Sequence, residues 1–289
     1  MLRAIKGDIP AYAQEGIKKT LRRQNYFLSC KCKAEQDLEI LTADDADLFS
    51  TAIVQSKELL SPDICKVMLQ TATPLFYHAG QFINVRKNRR LLRSYSLASL
   101  PQQDEYLEIH VKRLQNGKMS NWIFDSLEVG QQLDIEGPVG SCFYAPESAQ
   151  ENLLLIGTGT GLSPLLGIAR DAIYHGHKGD IHLYHGIQVD NGLYNQKRLL
   201  EMQEQTQNFY YHPCISAEHS QSNIACGRAS DVALKDHPKL QGWNIYLCGA
   251  PAMVNETKKR AYLSGADLGN IHADPFQLTD LRSKKRKES

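Results

Sequence analysis

The sequence predicts a β plus α/β fold, in which a small antiparallel β-barrel is followed by a parallel-sheet α/β domain. Three observations carry this prediction. The chain has 289 residues, enough for about two domains of ordinary size. Short alternating segments separated by turn residues fill positions 48–145. From about residue 150 the pattern changes to repeated strand-then-helix units, which are typical of a parallel sheet with helices on its faces.

The composition excludes several classes of protein. Lys and Arg number 33, Asp and Glu number 32, and 42% of the residues are apolar, which excludes collagen-like and wholly disordered chains. The longest apolar run, Leu153–Ile156, is far short of the ~20 residues that span a bilayer, and the N-terminal residues lack the apolar core of a signal peptide. Seven cysteines without a C-x-x-C pair indicate reduced thiols. We therefore expect a cytoplasmic protein with no membrane span and no nucleic-acid partner.

The patterns divide the chain into four parts. Residues 1–45 match neither domain type, residues 46–148 form the predicted barrel domain, and residues 149–280 form the predicted α/β domain. The remaining residues, 281–289, are a tail with five basic side chains and one acidic side chain. A solvated, disordered terminus is the expectation for such a tail, and we assign it no function.

Alternating apolar and polar residues predict six barrel strands, and turn residues separate them. The turn signals include Ser61-Pro62-Asp63, Asn116-Gly117 and Gly137-Pro138. The predicted strands are Phe49–Val54, Ile64–Leu69, Phe82–Val85, Ser94–Ala98, Tyr106–Lys112 and Gln132–Glu136, with one inserted helix over about Met119–Leu127. This spacing favours a small barrel or sandwich.

The second half of the chain predicts three strand–helix units. The strands are Asn152–Ile156, Ile181–His185 and Asn244–Cys248, and the helices that follow them are Ser163–Tyr174, Gln196–Gln205 and Ala252–Leu263. Parallel sheets of this kind bind ligands beyond the carboxyl ends of their strands. The loops after Ile156, His185 and Cys248 are therefore the places where a ligand is expected.

A glycine-rich turn follows the first of these strands. It reads Gly157-Thr158-Gly159-Thr160-Gly161, and Pro164 stands near the start of the next helix. Glycines allow a close approach to a diphosphate, and the free N–H groups of the helix end neutralise it. The alternative is a tight turn without a ligand. The turn is not the dinucleotide fingerprint G-x-G-x-x-G, because Leu162 occupies the last position, and His185-Gly186 leaves the second strand without a terminal acid.

Two segments of the barrel half suggest contacts to a phosphorylated ligand with a flat ring. In Arg93-Ser94-Tyr95-Ser96, the arginine could bind a phosphate, the tyrosine could lie against a ring, and Ser96 could donate to a ring nitrogen. Gly117-Lys118-Met119-Ser120 is a turn into a helix and offers a second anion site. In the α/β half, Cys248 and Gly249 end a strand at the ligand edge. The alternative for Cys248 is a small buried apolar residue.

These residues resemble the ferredoxin–NADP reductase superfamily of two-domain flavoproteins, over about residues 48–277. The motifs occur in the order typical of that family. They are R-x-Y-S at 93–96, the H/C-V-K strand at His110, Val111 and Lys112, G-x-x-S at 117–120, G-P-x-G at 137–140, G-T-G-T-G at 157–161 and C-G-x-P-x-M at 248–253.

The resemblance implies a flavin-binding barrel, a pyridine-nucleotide domain, and FAD held between them. Ser96, Cys248 and Phe276 would be the catalytic residues: Ser96 near flavin N5, Cys248 by the nicotinamide, and Phe276 on the other flavin face. Arg93 would hold the FAD diphosphate and Tyr95 would pack on the isoalloxazine. The cofactor-binding residues that it implies are Arg93, Ser94, Tyr95, Ser96, His110, Val111, Lys112, Gly117, Lys118, Met119, Ser120, Gly157, Thr158, Gly159, Thr160, Gly161, Pro164, Gly186, Cys248, Gly249, Pro251 and Met253.

The implied function is an FAD-dependent oxidoreductase of the oxygenase-reductase type. It would take a hydride from NADH and pass electrons to a separate redox partner protein such as an oxygenase or an iron–sulfur protein. NADH is favoured over NADPH because Asp190 and Glu218 would repel a 2′-phosphate, although Lys197 and Arg198 keep NADPH open. A free-flavin or ferric reductase, and a non-catalytic subunit that retains the reductase fold, are the alternatives.

Residues 1–45 resemble the last half of a plant-type [2Fe–2S] ferredoxin, a β-grasp fold. Cys30 matches the distant cluster ligand, and the loop with the other three ligands would lie before Met1. Either the start codon lies upstream, or this is a relic domain that has lost its cluster, and we favour the relic. We therefore expect no [2Fe–2S] cluster in this chain, no metal site, and a segment with exposed edges and poor order.

Overall fold

The structure, a computed structural model, describes residues 1–33, 36–41, 49–88, 90–189, 192–217 and 224–277. In chain order these residues form a small three-stranded sheet, a six-stranded antiparallel barrel and a six-stranded parallel sheet covered by helices. The predicted barrel and α/β domain are thereby confirmed, whereas the predicted basic tail at 281–289 lies outside the described residues. Within the described ranges, no helix has the length and apolar character needed to cross a membrane.

The N-terminal unit is a small antiparallel sheet with a helical connection. Its elements are β1 (Leu2–Lys6), α1 (Lys19–Arg23), β2 (Tyr26–Phe27) and β3 (Glu39–Leu41), and the strand order is β2-β1-β3. Ala4, Ala13 and Phe27 form its core, which is too small to stabilise a domain on its own.

Contacts with both larger domains compensate for this small core. Gln24 Nε2 donates to Gly140 O at 3.1 Å, and Gln24 Oε1 accepts from Gln81 Nε2 at 3.0 Å, so the unit is fastened to the barrel. Lys18 Nζ donates to Ile271 O at 3.3 Å in the α/β domain. In the described part of this segment, polar side chains thus find partners on the two domains beneath it, and the expectation of poor order stays a prediction.

The barrel is closed by its two outer strands. Its elements are β4 (Ser50–Ser61), β5 (Ile64–Thr71), β6 (Phe82–Asn88), β7 (Leu91–Ser96), β8 (Leu107–Lys112), α2 (Lys118–Asp125) and β9 (Gln132–Val139), in the sheet order β7-β6-β9-β4-β5-β8. A single antiparallel bridge between Leu97 and Ile109 joins the two ends of the sheet. Along β8 the residues Leu107, Ile109 and Val111 fill the barrel core, as the alternation of a strand requires. Their neighbours on β8 consequently face outward.

The α/β domain has an all-parallel sheet. Its elements are β10 (Leu153–Thr158), α3 (Leu162–Tyr174), β11 (Ile181–Ile187), α4 (Gln196–Gln205), β12 (Phe209–Ile215), β13 (Ala225–Cys226), α5 (Ala229–Asp236), β14 (Asn244–Gly249), α6 (Pro251–Leu263) and β15 (Ile271–Pro275). The order is β13-β12-β11-β10-β14-β15, so the direction of winding reverses between β10 and β14. Ligands bind at such a reversal, outside the carboxyl ends of the strands.

Helix α3 forms much of the contact between the two domains. Ser163 Oγ donates to Ser96 O at 3.0 Å, and the Arg170 guanidinium pairs with Asp104, with Nη2 2.8 Å from Oδ1. At Gly167, a Cβ atom would lie 3.0 Å from Leu97 O, tighter than an ordinary contact, so glycine favours this close approach of helix and barrel. These contacts bring the end of β7 next to the glycine-rich turn after β10.

Candidate functional site

A cleft of about 2110 Å³ separates the barrel from the α/β domain. One wall consists of β6, β7 and the first turn of α2, and the other consists of the loops that follow β10, β11, β14 and β15. Pockets for one small ligand are typically about 300 to 1,000 Å³. The cleft is therefore large enough for two nucleotide-sized ligands that meet at the domain boundary.

The barrel wall presents the R-x-Y-S segment. Arg93, Ser94, Tyr95 and Ser96 all line the cleft. Among the described residues, Arg93 makes one hydrogen bond, in which Nη1 donates to Leu92 O at 2.7 Å, so the rest of its guanidinium can bind an anion. The Tyr95 ring is half-buried against the barrel core, and burial raises the pKa of its hydroxyl, which stays protonated.

The start of α2 forms a turn that lines the same cleft as Arg93. Gly117, Lys118, Met119 and Ser120 line the cleft, and no side chain caps the free N–H groups at this helix end. Ser120 Oγ donates to Gly117 O at 3.3 Å and accepts from Leu114 N at 3.1 Å, which closes the turn. A Cβ atom at Gly117 would collide with Ser120 Oγ, and this explains the G-x-x-S spacing. The turn can present backbone donors to a diphosphate.

Ser96 is paired with a residue that the sequence reasoning missed. Its Oγ donates to Asp274 Oδ2 at 3.2 Å, at the point where the two domains meet in the cleft. Burial raises the pKa of Asp274 to about 6, and the hydrogen bond from Ser96 opposes the shift. The available signal was the position of Asp274, two residues before the predicted Phe276. Phe276 lines the cleft, and its backbone N–H donates to Gly249 O at 2.7 Å.

The glycine-rich turn faces the cleft with its middle residues. Thr158, Gly159 and Thr160 line the cleft, and Gly159 has a φ of +54°. Thr158 Oγ1 accepts from Ala250 N at 3.2 Å, which ties this turn to the loop after β14. Gly186 lines the cleft beside them.

The outer glycines of the turn lie behind it, against packed structure. A Cβ atom at Gly157 would lie 2.7 Å from Leu165 Cδ1, and one at Gly161 would lie 2.6 Å from the carbonyl carbon of Cys248. Pro164 is buried in α3. These three predicted residues therefore shape the turn, and their binding role stays a prediction.

The Cys248 thiol does not face the cleft. The residue is fully buried, its Sγ is 3.7 Å from Cys142 Sγ, and burial raises the pKa of the thiol. This placement matches the alternative of a small buried residue, and a catalytic role beside the nicotinamide stays a prediction. Gly249 and Met253, from the same motif, line the cleft, whereas Pro251 does not.

The side chains of the predicted H-V-K strand face two different regions, the cleft and the barrel core. His110 and Lys112 line the cleft, and Val111 points into the barrel core on the opposite face of β8. The His110 ring is bonded to Glu108 and Tyr194, neither of which the sequence reasoning singled out. In the part of the chain that the structure describes, no group of three or more His, Cys, Asp or Glu side chains is arranged to hold an ion.

The far end of the cleft contains residues that no motif indicated. Arg228 and Ser230 stand at the start of α5 and line the cleft, together with Ser216. They were missed because the sequence pattern did not predict α5. Asp190 and Glu218, on which the preference for NADH was based, lie outside the described residues.

Family models match both halves of the chain. The oxidoreductase FAD-binding domain matches residues 51–144, and the oxidoreductase NAD-binding domain matches residues 155–259. The chain is 30% identical over 280 residues, 95% of its length and 85% of the relative's, to the ferredoxin–NAD(P)+ reductase component of the naphthalene 1,2-dioxygenase and salicylate 5-hydroxylase systems of a Ralstonia species. It is 32% identical over 265 residues, 88% of its length and 79% of the relative's, to the reductase subunit of an aromatic O-demethylase of an Amycolatopsis species.

Solved structures of reductases also match nearly the whole chain. The Amycolatopsis reductase GcoB has a TM-score of 0.75 and 31% identity, and the match covers 95% of this chain and 86% of that one. The ferredoxin reductase of carbazole 1,9a-dioxygenase has a TM-score of 0.72 and 26% identity, with 96% and 85% covered. Because these matches cover almost all of this chain, they include most of residues 1–45 as well as the two larger domains.

Proposed function

Since this chain belongs to the ferredoxin reductase superfamily of FAD- and NAD-binding oxidoreductases, we propose that it is the reductase component of an oxygenase-type electron-transfer system. It is an NAD(P)H-dependent FAD oxidoreductase. The proposed electron acceptor is a separate redox protein, either an oxygenase or an iron–sulfur protein. The observation that supports this proposal best is a single cleft in which the anion-binding turns of both domains face each other across the Ser96–Asp274 pair.

The barrel wall of the cleft fits FAD. The guanidinium of Arg93 and the free N–H groups at the start of α2 would neutralise the diphosphate, and the Tyr95 ring would lie against the flat ring system. When bound, FAD accepts a hydride and releases electrons singly or as a pair. The protein contributes binding, orientation and the exclusion of water from this reaction.

Ser96 and Asp274 provide a proton-holding pair at the domain boundary. Because the pKa of Asp274 is raised to about 6 by burial, its carboxyl holds a proton over part of the physiological range. Ser96 Oγ, 3.2 Å away, can pass a proton between this carboxyl and a ring nitrogen placed beside it.

The α/β wall would hold the nicotinamide nucleotide. Thr158, Gly159 and Thr160 present the turn to its diphosphate. We propose NADH as the preferred donor, and the structure removes one argument for NADPH, because the Arg198 guanidinium is bonded to Glu108. Arg228 is an exposed cation in the cleft and is the residue through which NADPH would be accepted.

A visible spectrum of the purified protein tests the proposal. Flavin bands near ~450 nm that bleach on anaerobic addition of NADH are expected, since the cofactor chemistry requires them. A parallel titration with NADPH measures the preference between the two nucleotides. A colourless protein that does not take up added FAD would refute the proposal and favour the non-catalytic subunit.

The identity of the acceptor needs a second measurement. The NADH-reduced protein is mixed separately with free flavin, a ferric chelate and a [2Fe–2S] protein. Fast reoxidation by the iron–sulfur protein alone is expected. Equally fast reoxidation by free flavin or the ferric chelate would show instead that the protein is a free-flavin or ferric reductase.

We also propose that the protein works in the cytoplasm. NAD(P)H is its electron source, and its seven cysteines are all free thiols, as is usual for proteins of reducing compartments.

A further inference from the structure

A chain of polar side chains, buried except for the half-buried Arg198, crosses the boundary between the barrel and the α/β domain beside the cleft. Glu108 and His110 extend from the outer face of β8, and His110 Nε2 donates to Glu108 Oε1 at 2.8 Å. From the other domain, Arg198 of α4 donates to the same carboxylate, with Nη1 3.0 Å from Oε1 and 3.2 Å from Oε2. Tyr194 OH lies 3.1 Å from His110 Nδ1. Four side chains from two domains thus form one hydrogen-bonded group.

The carboxylate at the centre of this group is buried and charged. The side chains of Glu108 and His110 are 5% and 0% exposed. Burial alone would raise the pKa of Glu108, but the hydrogen bonds and charges of His110 and Arg198 lower it to about 2. A buried carboxylate that loses such partners is left uncompensated, so the group favours one fixed geometry.

The same chain of contacts reaches the glycine-rich turn. The Tyr194 ring packs edge-on against the ring of His185, with 5.5 Å between the ring centroids. His185 is fully buried, and its Nε2 donates to Gly159 O at 3.1 Å. The contacts therefore run from Glu108 on the barrel to Gly159, which forms part of the opposite wall of the cleft.

The position of His110 gives these contacts a functional consequence. His110 lines the cleft on the barrel side and Gly159 lines it on the α/β side. Their separation decides how a ligand on one wall faces a ligand on the other, and a displacement of ~1 Å between reacting groups can lower a rate by about 100-fold.

We propose that Glu108, Tyr194 and Arg198 are positioning residues for hydride transfer, which hold the His110 side of the barrel and the Gly159 turn at a fixed distance. This inference rests on the proposed function. None of the three lines the cleft, so they act through His110 and Gly159 and not by contact with a ligand.

A second ion pair across the same boundary supplies a matched control. Arg170 of α3 pairs with Asp104 of the barrel, with Nη2 2.8 Å from Oδ1, and neither residue lines the cleft. If the inference is correct, loss of the Arg170 pair weakens the domain contact without changing the geometry of the reacting groups.

The test compares Tyr194→Phe and Arg198→Met with Arg170→Met. The rate of flavin reduction is measured by anaerobic single-turnover stopped flow, with FAD affinity and melting temperature measured on the same samples. For Tyr194→Phe and Arg198→Met we expect a fall in rate of about tenfold at unchanged FAD affinity, because misplacement affects the step and not the binding. For Arg170→Met we expect a lower melting temperature and an unchanged rate. An unchanged rate in both test variants, or an equal fall in Arg170→Met, overturns the inference.

A readout on the protein without cofactors separates this inference from the proposed function. Amide hydrogen exchange is followed in the peptide that contains residues 157–163. Tyr194→Phe keeps its ring against His185, so Tyr194→Leu is used for this measurement. Faster exchange there in Tyr194→Leu, with no change in Arg170→Met, is expected, because the ring contact to His185 holds the turn. Equal exchange in Tyr194→Leu and wild type overturns the inference. A wild-type protein that NADH does not reduce would instead refute the proposed function, and the exchange result would still decide the positioning role.

Discussion

Asp274 is a carboxyl of the cleft whose pKa is shifted toward neutrality. Aspartate carboxyls in water ionise near pH 4, whereas burial raises the pKa of this one to about 6. Its hydrogen bond from Ser96 stabilises the ionised form and limits the shift. Near neutral pH the pair can therefore either hold a proton or release it.

We predict that Asp274→Asn makes the rate of flavin reduction independent of pH in the range where the Asp274 carboxyl titrates. In the wild type, the rate of reduction by NADH should change around pH ~6, where the carboxyl titrates. The asparagine variant should give a flat profile in that range. Ser96→Ala is the control. It keeps the Asp274 carboxyl but removes the hydrogen bond that lowers the pKa of that carboxyl, so the rate should change at a higher pH than in the wild type. The same change of rate with pH in Asp274→Asn as in wild type would show that Asp274 is not the group that titrates.

The same substitution makes a prediction about stability. A folded-state pKa above the unfolded value means that the folded protein binds the proton more tightly, so stability falls as the pH rises from about 4 through about 6. Asp274→Asn removes this loss. Because solvent reaches the cleft, we expect the variant to gain about 1 kcal/mol relative to wild type at neutral pH, and less at pH ~4. Urea unfolding at the two pH values measures the difference, and a gain that is equal at both would contradict the linkage.

At the scale of elements, the glycine-rich turn between β10 and α3 supports a paired prediction. A Cβ atom at Gly161 would lie 2.6 Å from the Cys248 carbonyl carbon, which is backbone and cannot move aside. At Gly159 nothing lies within 4 Å, and only the φ of +54° opposes a side chain. Gly159→Ala should therefore cost about 1 to 2 kcal/mol of folding free energy, the usual penalty of that conformation.

Gly161→Ala should cost more, about 3 kcal/mol or above, and weaken nucleotide binding, because the turn and the end of β14 must separate. Thermal unfolding and NADH titration of the two variants check the order. If Gly159→Ala is the more damaging substitution, the close approach of the turn to β14 is not what requires a glycine at position 161.

The sequence predicted elements wherever a regular pattern was present. Barrel strands such as β6 alternate between core and outer residues, and β10 begins with a continuous apolar run, so both were recognisable. Helix α5 has only eight residues, and β15 carries a histidine, an aspartate and a terminal proline, so neither has a clear period. Consequently the pattern missed both elements and the cleft residues that they carry.

The site was predictable only where its residues form local motifs. Arg93 and the turns at Gly117 and Gly159 were identified because each motif lies within a few residues of sequence. The contact between Ser96 and Asp274 joins positions 178 residues apart, and the contact between Glu108 and Arg198 joins positions 90 apart. Pairings of that kind depend on how the domains pack, and a single sequence contains no local signal for them.

At the scale of the whole molecule, the N-terminal unit depends on the two domains beneath it. We predict that Gln24→Ala loosens this unit, since the side chain donates to Gly140 O and accepts from Gln81. Loss of these buried hydrogen bonds should cost about 1 to 3 kcal/mol. Limited trypsin digestion should then cut the chain at Arg22 and Arg23 faster than in wild type.

Gln36→Ala is the matched control for this prediction. Gln36 is exposed, and its Nε2 donates to Asp8 O within the unit itself, at 3.2 Å. Its removal should leave the contacts between the N-terminal unit and the two larger domains intact, and the digestion rate unchanged. Equal digestion rates for the two variants would show that the Gln24 contacts do not hold the unit in place.

The distance along the chain between Ser96 and Asp274 also has a consequence for biosynthesis. A ribosome adds about 5 to 20 residues per second, so the 178 residues between them take about 10 to 40 s to make. During that interval the barrel can fold on the nascent polypeptide while strand β15 has not yet been translated. The acid–base pair is therefore completed late in translation, well after the barrel strand that carries Ser96 has been made.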